Sequence, residues 1–218
     1  VHHRAAFATT LTAAVLLLSL TACASDWSAP RDDATPIGTP GPGFAPASEP
    51  SPEATINPAT DSWEGVSPPP GYRVVLLTHG DDASTTALTT AVGEWALADA
   101  VDLRTVQADD DPIKGIVTAM EMKPELIVSV GDGLIDALGT VTPNHLDVPF
   151  LILGAELAEP TQNVTAVDWT GAGFRGEGLG TATHFDEESF TPERCADAIR
   201  AGTAAVLTGM TGIVLWID

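Results

Sequence analysis

Six short runs of aliphatic and β-branched residues, spaced by segments of helical periodicity, constrain this chain more than any other feature. The first, Arg73-Val74-Val75-Leu76-Leu77-Thr78, shows no polar alternation, the pattern of a strand covered on both faces. The others begin at Val101, Glu125, Phe150, Val164 and Ile213. Between them Leu88, Ala91, Val92, Trp95 and Ala96 recur at helical spacing. So do Ile113, Ile116, Val117 and Met120, then Leu134, Ile135, Leu138 and Val141, then Ala198, Ile199, Ala205 and Val206. Asp111-Pro112 and Thr191-Pro192 read as helix starts, because the missing proline N–H is harmless in a first turn. Ser84 or Thr85 is placed to cap the first helix and Asp132 the third. Strands and helices alternating over short connections pack as a sheet with helices on both faces. The expected fold class is therefore α/β: a Rossmann-like three-layer α/β/α domain over residues 71–218, with a mostly parallel six-stranded sheet.

The start of the chain obeys a different logic. His2-His3-Arg4 precedes a weakly apolar run from Ala5 to Leu20, densest at residues 13–18. The dense part is too short for about 30 Å of hydrocarbon, which takes roughly 20 apolar residues. A leader of this kind is a signal peptide, here residues 1–22, and is set aside from the fold. Leu20-Thr21-Ala22-Cys23 follows directly and resembles the bacterial lipobox, with lipidation expected on Cys23. The alternative is an ordinary secretory leader with a chance cysteine. Lipidation implies a membrane partner through the N-terminal lipid, on the extracytoplasmic side of the cell membrane. Residues 24–70 hold 11 of the 17 prolines and show little apolar periodicity, so residues 23–70 read as a disordered spacer. Within it Trp27, Phe44 and Trp63 read as stray aromatics rather than docking points. Cys195, the only other cysteine, sits beside Ala196 and Ala198 on an expected helix and reads as a buried structural thiol.

Charge narrows the range of partners. The chain carries a formal −21, and residues 71–218 hold 23 Asp and Glu against 7 Lys and Arg, a net −16. Nucleic acid is thereby excluded, since phosphate binding needs a basic surface. A neutral or cationic small molecule suits this surface better, although solubility alone would also account for the acidity. Enzyme signatures are missing: there is no G-x-S-x-G elbow, P-loop or H-E-x-x-H. No cofactor is expected. Gly171-Ala172-Gly173-Phe174-Arg175-Gly176 matches G-x-G-x-x-G, but it follows the fifth strand rather than the first. It reads as a connector in preference to a dinucleotide loop.

Where a parallel sheet binds a ligand, it does so beyond the carboxyl ends of its strands. Those ends give the candidate rim: His79, Gly80, Asp81 and Asp82; Gly131 and Asp132; Gly154 and Glu156; Asp168 and Trp169. The bland alternative makes Asp81, Asp82 and Asp132 helix caps and turn residues. A metal reading would use His79 with Asp81, Asp82, Asp132 and Asp168, hard oxygen ligands and one imidazole without a local motif to fix them. Asn163-Val164-Thr165 fits a glycosylation acceptor by pattern alone.

Three segments carry a resemblance to a known family. Leu126-Ile127-Val128-Ser129-Val130-Gly131, Pro149-Phe150-Leu151-Ile152-Leu153 and Asn163-Val164-Thr165-Ala166-Val167-Asp168-Trp169 together resemble the N-terminal lobe of type 1 periplasmic binding proteins. The likeness is to the basic-membrane-protein group of substrate-binding lipoproteins, over about residues 72–180. It implies one lobe of a solute-binding protein: a non-catalytic module that senses or presents a small ligand, or docks a protein partner or transporter. Two alternatives stay open: an interaction lipoprotein with a decayed ligand site, and a metal-assisted hydrolase using the aspartate rim.

Overall fold

A computed structural model of the chain describes residues 27–29, 34–173 and 185–218. Cys23 and the leader lie outside the described residues, as does the second half of the G-x-G-x-x-G segment. The strands are β1 (Ile37–Gly38), β2 (Thr55–Ile56), β3 (Val66–Ser67), β4 (Arg73–Thr78), β5 (Asp102–Gln107), β6 (Leu126–Val130), β7 (Phe150–Leu153), β8 (Val164–Asp168) and β9 (Val214–Trp216). The α-helices are α1 (Ala83–Ala98), α2 (Pro112–Glu121), α3 (Ile135–Val141) and α4 (Pro192–Leu207). The main sheet runs β2-β9-β8-β7-β6-β4-β5, and every pairing in it is parallel. All six expected strands are present, with a seventh, β2, added at the β9 edge.

Alternation within the strands explains why their runs look continuously apolar. Val74 and Leu76 of β4 join the core on one face, with Leu126, Val128, Leu151, Leu153, Val167 and Leu215. Val75 and Leu77 point to the other face, with Ile127, Phe150, Ile152, Val164, Ala166 and Val214. The first face is covered by Leu88, Val92 and Trp95 of α1 and by Ala198, Ile199 and Ala205 of α4. Ile116 and Ala119 of α2 and Ile135 and Leu138 of α3 cover the second. Each residue of β4, β6, β7 and β8 thus loses its water contact to one helical layer or the other, while the edge strand β5 stays partly exposed, and the three-layer sandwich follows.

Part of the expected spacer is folded. Thr55 and Ile56 pair with Val214 and Leu215, and Ile37 and Gly38 pair antiparallel with Ser67 and Val66. Trp27, Phe44 and Trp63 are buried rather than stray, at 2–3 % exposure. Phe44 and Trp63 extend the α1/α4 core, and Trp27 joins the core on the other face. A few large aromatics supply enough apolar area to hold a Pro-rich segment that has no periodicity of its own.

Helix starts follow the sequence in two cases and depart from it in two. Asp111 accepts from Lys114 N–H at 3.0 Å and Thr191 from Arg194 N–H at 3.2 Å, as expected. The cap of α1 is Asp82, and Ser84 and Thr85 donate their hydroxyls to it instead of capping. The start of α3 has no side-chain cap, so the Asp132 carboxylate does not serve as one. Cys195 is a free, buried thiol, pushed up to about 11 by burial against the opposing pull of Arg194.

Candidate functional site

Strand order sets the geometry of the rim. The chain leaves β4 for β5 on one side, then crosses back to β6 on the other, so the sheet reverses direction between β4 and β6. The helices that follow β4 and β6 lie on opposite faces, α1 on one and α3 on the other. Loops leaving β4 and β6 therefore diverge and open a crevice at this point. His79 to Asp82 come from one side of it and Gly131 to Leu134 from the other.

His79 and Gly133 meet across the crevice. A Cβ on Gly133 would lie 2.7 Å from His79 Cδ2, so only glycine lets the imidazole sit there. His79 Nδ1 lies 3.1 Å from the Ala108 carbonyl. A carbonyl only accepts, so Nδ1 donates to it, and this contact fixes the orientation of the ring. Gly80 N–H donates to Asp109 Oδ1 at 2.8 Å, which ties the β5–α2 loop to the same edge. Gly131 turns the chain out of β6 at φ +73°, where a side chain is strained. Asp81 and Asp132 are exposed, and among the described residues no hydrogen bond engages the Asp132 carboxylate.

Asp82 is occupied differently. Its carboxylate accepts Thr85 N–H at 2.9 Å, Thr85 Oγ1 at 2.8 Å and the Ser84 hydroxyl. Burial pushes this carboxyl up, but the Ser84 and Thr85 hydrogen bonds outweigh it and hold the group below its ordinary value. Asp82 thus shapes the helix start and has little capacity left for a ligand.

The remaining rim residues lie inside the protein. Glu156 and Asp168 are 2 % and 1 % exposed. Asp168 Oδ1 accepts Trp169 N–H at 2.8 Å. Trp169 is fully buried, donates its indole N–H to Ser189 Oγ at 3.0 Å and meets Phe190 edge-on at 5.0 Å. Gly154 is covered by Phe190, Leu88 and Trp169, each within 3.3 Å of where its Cβ would stand. The structure therefore gathers His79, Gly80, Asp81, Gly131 and Asp132 at one crevice and leaves Gly154, Glu156, Asp168 and Trp169 in the packed interior. Asp109 and Gly133 are crevice residues that the sequence reading missed. Asp109 follows the second strand, and a parallel sheet puts that carboxyl end on the same edge as the others.

Among the described residues no group of three or more His, Cys, Asp and Glu side chains is arranged to hold a metal. With Asp82 engaged as a cap and Asp168 in the core, the expected ligand set is not brought together. Asn163 is 7 % exposed and donates its side-chain N–H groups to the carbonyls of Thr142, His145 and Val148, so it staples the turn ahead of β7. A cavity of about 600 Å³ lies at the opposite, amino-end edge, lined by Tyr72, Arg73, Lys123 and Glu125. Ala29 and Ala34, which flank residues outside the described set, also line it, and we place no ligand there.

No protein-family model and no curated protein matches the sequence. Among solved structures, the chain is similar to an ABC transporter system solute-binding protein from Aeropyrum pernix K1. That match has 18% identity and a TM-score of 0.39, over 45% of this chain and 29% of the other. The chain is also similar to a fragment from Peptoclostridium difficile 630 described as a lipoprotein. There the identity is 16% and the TM-score 0.45, over 64% of this chain and 99% of the other. Among the described residues no helix is long and apolar enough to cross a membrane.

Proposed function

We propose that this chain is a lipid-anchored, extracytoplasmic binding module, shaped like one lobe of a solute-binding protein. It binds a small cationic or neutral polar molecule without transforming it, at the crevice between the β4 and β6 loops. The observation that carries this reading is the meeting of His79 with Gly133 at the point where the strand order reverses. At that switch point a ligand between the two loops would meet an imidazole, exposed carboxylates and loop backbone together.

Charge sets the preference for a cation. Loops after β4, β5 and β6 carry Asp81, Asp82, Asp109, Asp110, Asp111 and Asp132 on one edge, with Lys114 beside them in the first turn of α2. Such an edge raises the local concentration of cations and repels anions. An open crevice leaves one side of a ligand in water, which a protein partner or transporter would cover. Cys23 supplies the anchor in this reading.

The test is a thermal-shift and calorimetric comparison of organic amines, diamines and neutral polyols with dicarboxylates of equal size. Amines are expected to raise the midpoint, because a ligand at 100 times its Kd stabilises the native state by about 2.7 kcal/mol. Asp132→Asn should weaken that binding about tenfold or more, the loss of one charge-assisted contact. Preferential binding of dicarboxylates, or full amine affinity in Asp132→Asn, would count against the site.

A further inference from the structure

Trp27 is fastened to the lobe by more contacts than a passing residue needs. Its ring is 3 % exposed, and its indole N–H donates to Asp102 Oδ2 at 2.8 Å. The Arg104 guanidinium stands 4.0 Å from the ring centroid, in cation–π range. Arg73 Nη1 donates to the carbonyls of Trp27, at 3.2 Å, and of Ala29, at 2.9 Å. Arg73 and Asp102 are the first residues of β4 and β5, so Trp27 docks at the amino-end edge of the sheet.

Only three residues lie between Cys23 and Trp27, which makes four backbone steps from the anchor to this docked ring. Fully extended they reach about 14 Å. A compact domain of about 150 residues has a radius of gyration near 15 Å, and a six-residue strand is about 20 Å long. A leash shorter than the body it holds does not let that body turn its far edge to the surface. With the Trp27 contacts released, a leash running from Cys23 to Ala34 would reach about 38 Å. The lobe would then tumble freely.

We infer that the amino-end edge of the sheet is the face held against the bilayer, and that Trp27 is the latch that keeps it there. This rests on the lipid anchor at Cys23 proposed above. The crevice, one strand length away, then points outward. Electrostatics favours the same pose, because the aspartates after β4, β5 and β6 lie on the outward edge, where an anionic bilayer repels them least.

The orientation is read by energy transfer from single labels to a headgroup-linked acceptor. The full lipidated chain is reconstituted in vesicles of phosphatidylethanolamine and phosphatidylglycerol. Asp147→Cys places a label on an exposed loop at the amino-end edge, and Asp110→Cys places one on the outward edge with the same change in charge. Buried Cys195 stays unlabelled. Transfer from position 147 is expected to exceed that from position 110 several-fold, and Trp27→Ala should bring the two together. A Gly-Ser insertion of about ten residues between Cys23 and Trp27 should do the same while leaving every contact of the fold intact, which separates leash length from misfolding. Equal transfer from both labels in the native chain, or a difference that survives the insertion, would overturn the inference while leaving the anchor standing. Protein that does not associate with the vesicles would overturn the anchor and the orientation together.

Discussion

Two aspartates of the rim, Asp82 and Asp132, look alike in the sequence and differ in what their carboxylates meet. Asp82 takes three hydrogen bonds from Ser84 and Thr85, which satisfy the start of α1. Asp132 precedes a helix with no side-chain cap and stays exposed. Sequence weighs both as caps, because an aspartate two or three residues ahead of a helical pattern is compatible with either outcome. Only the local backbone decides: Asp82 is extended at φ −60° and ψ 166°, which aims its side chain back at the helix. Asp82→Ala should cost about 1 kcal/mol of stability at neutral pH, the usual loss of an N-cap. The sign with pH follows from the depressed carboxyl. Between the folded value and the ordinary 3.8 the unfolded chain binds the extra proton, so stability rises with pH across that window. The stabilisation is complete above the ordinary value and is lost as pH falls through the folded one. Urea midpoints of wild type and Asp82→Ala should differ at pH 7 and converge as the buffer is taken below the ordinary value. A gap that stays constant with pH would show that the carboxylate charge contributes nothing.

Two helices that cover the same face of the sheet, α1 and α4, each carry a glycine, and the two glycines stand in opposite surroundings. Gly202 of α4 lies so close to the sheet that a Cβ would stand 2.5 Å from Leu151 Cδ1 and 2.9 Å from Val167 Cγ2, both fully buried. Gly93 of α1 has nothing within 4 Å of that position. Alanine gains up to about 1 kcal/mol over glycine inside a helix, whereas overpacking a core costs about 1–3 kcal/mol. Gly202→Ala should therefore lower the urea midpoint and Gly93→Ala raise it, with unchanged slopes. Movement of both midpoints in the same direction would contradict the packing difference. The elements themselves were legible because both sheet faces are covered: the central strands β4, β6 and β7 are nearly continuous apolar runs, and α1 and α4 repeat their apolar positions at helical spacing. β2 was not legible, since two residues, Thr55 and Ile56, carry no periodicity. Of the site, the strand ends could be read from sequence, because parallel strands must share a carboxyl edge. Which ends stay open could not, since Trp169 and Phe190 close over Gly154 only once α4 has returned to the sheet. The inclusion of Asp109 was hidden for a related reason: its contact with Gly80 joins loops 29 residues apart.

At the scale of the whole molecule, the Pro-rich stretch ahead of β4 works as part of the fold. Residues 34–70 bring Phe44, Trp63 and Val66 into the α1/α4 core and place β2 along β9. Backbone bonds from Glu53 N–H to the Gly212 carbonyl, 2.9 Å, and from Val214 N–H to the Ala54 carbonyl, 3.0 Å, extend that pairing. Without β2, β9 becomes an open edge with unpaired backbone groups, a template for association with other chains. Losing one large buried aromatic costs about 3–5 kcal/mol, and the stability of a whole domain is only about 5–15 kcal/mol. A chain cut to residues 71–218 gives up two such aromatics and an edge strand together, so the loss is comparable to its entire stability. That truncation should unfold at a much lower urea concentration than residues 34–218 by far-UV circular dichroism, and should self-associate in light scattering. Residues 34–218, which keep β1 to β3 and lack Trp27, should stay monomeric. Coincident unfolding curves for the two would mean that the segment rides on a domain stable without it.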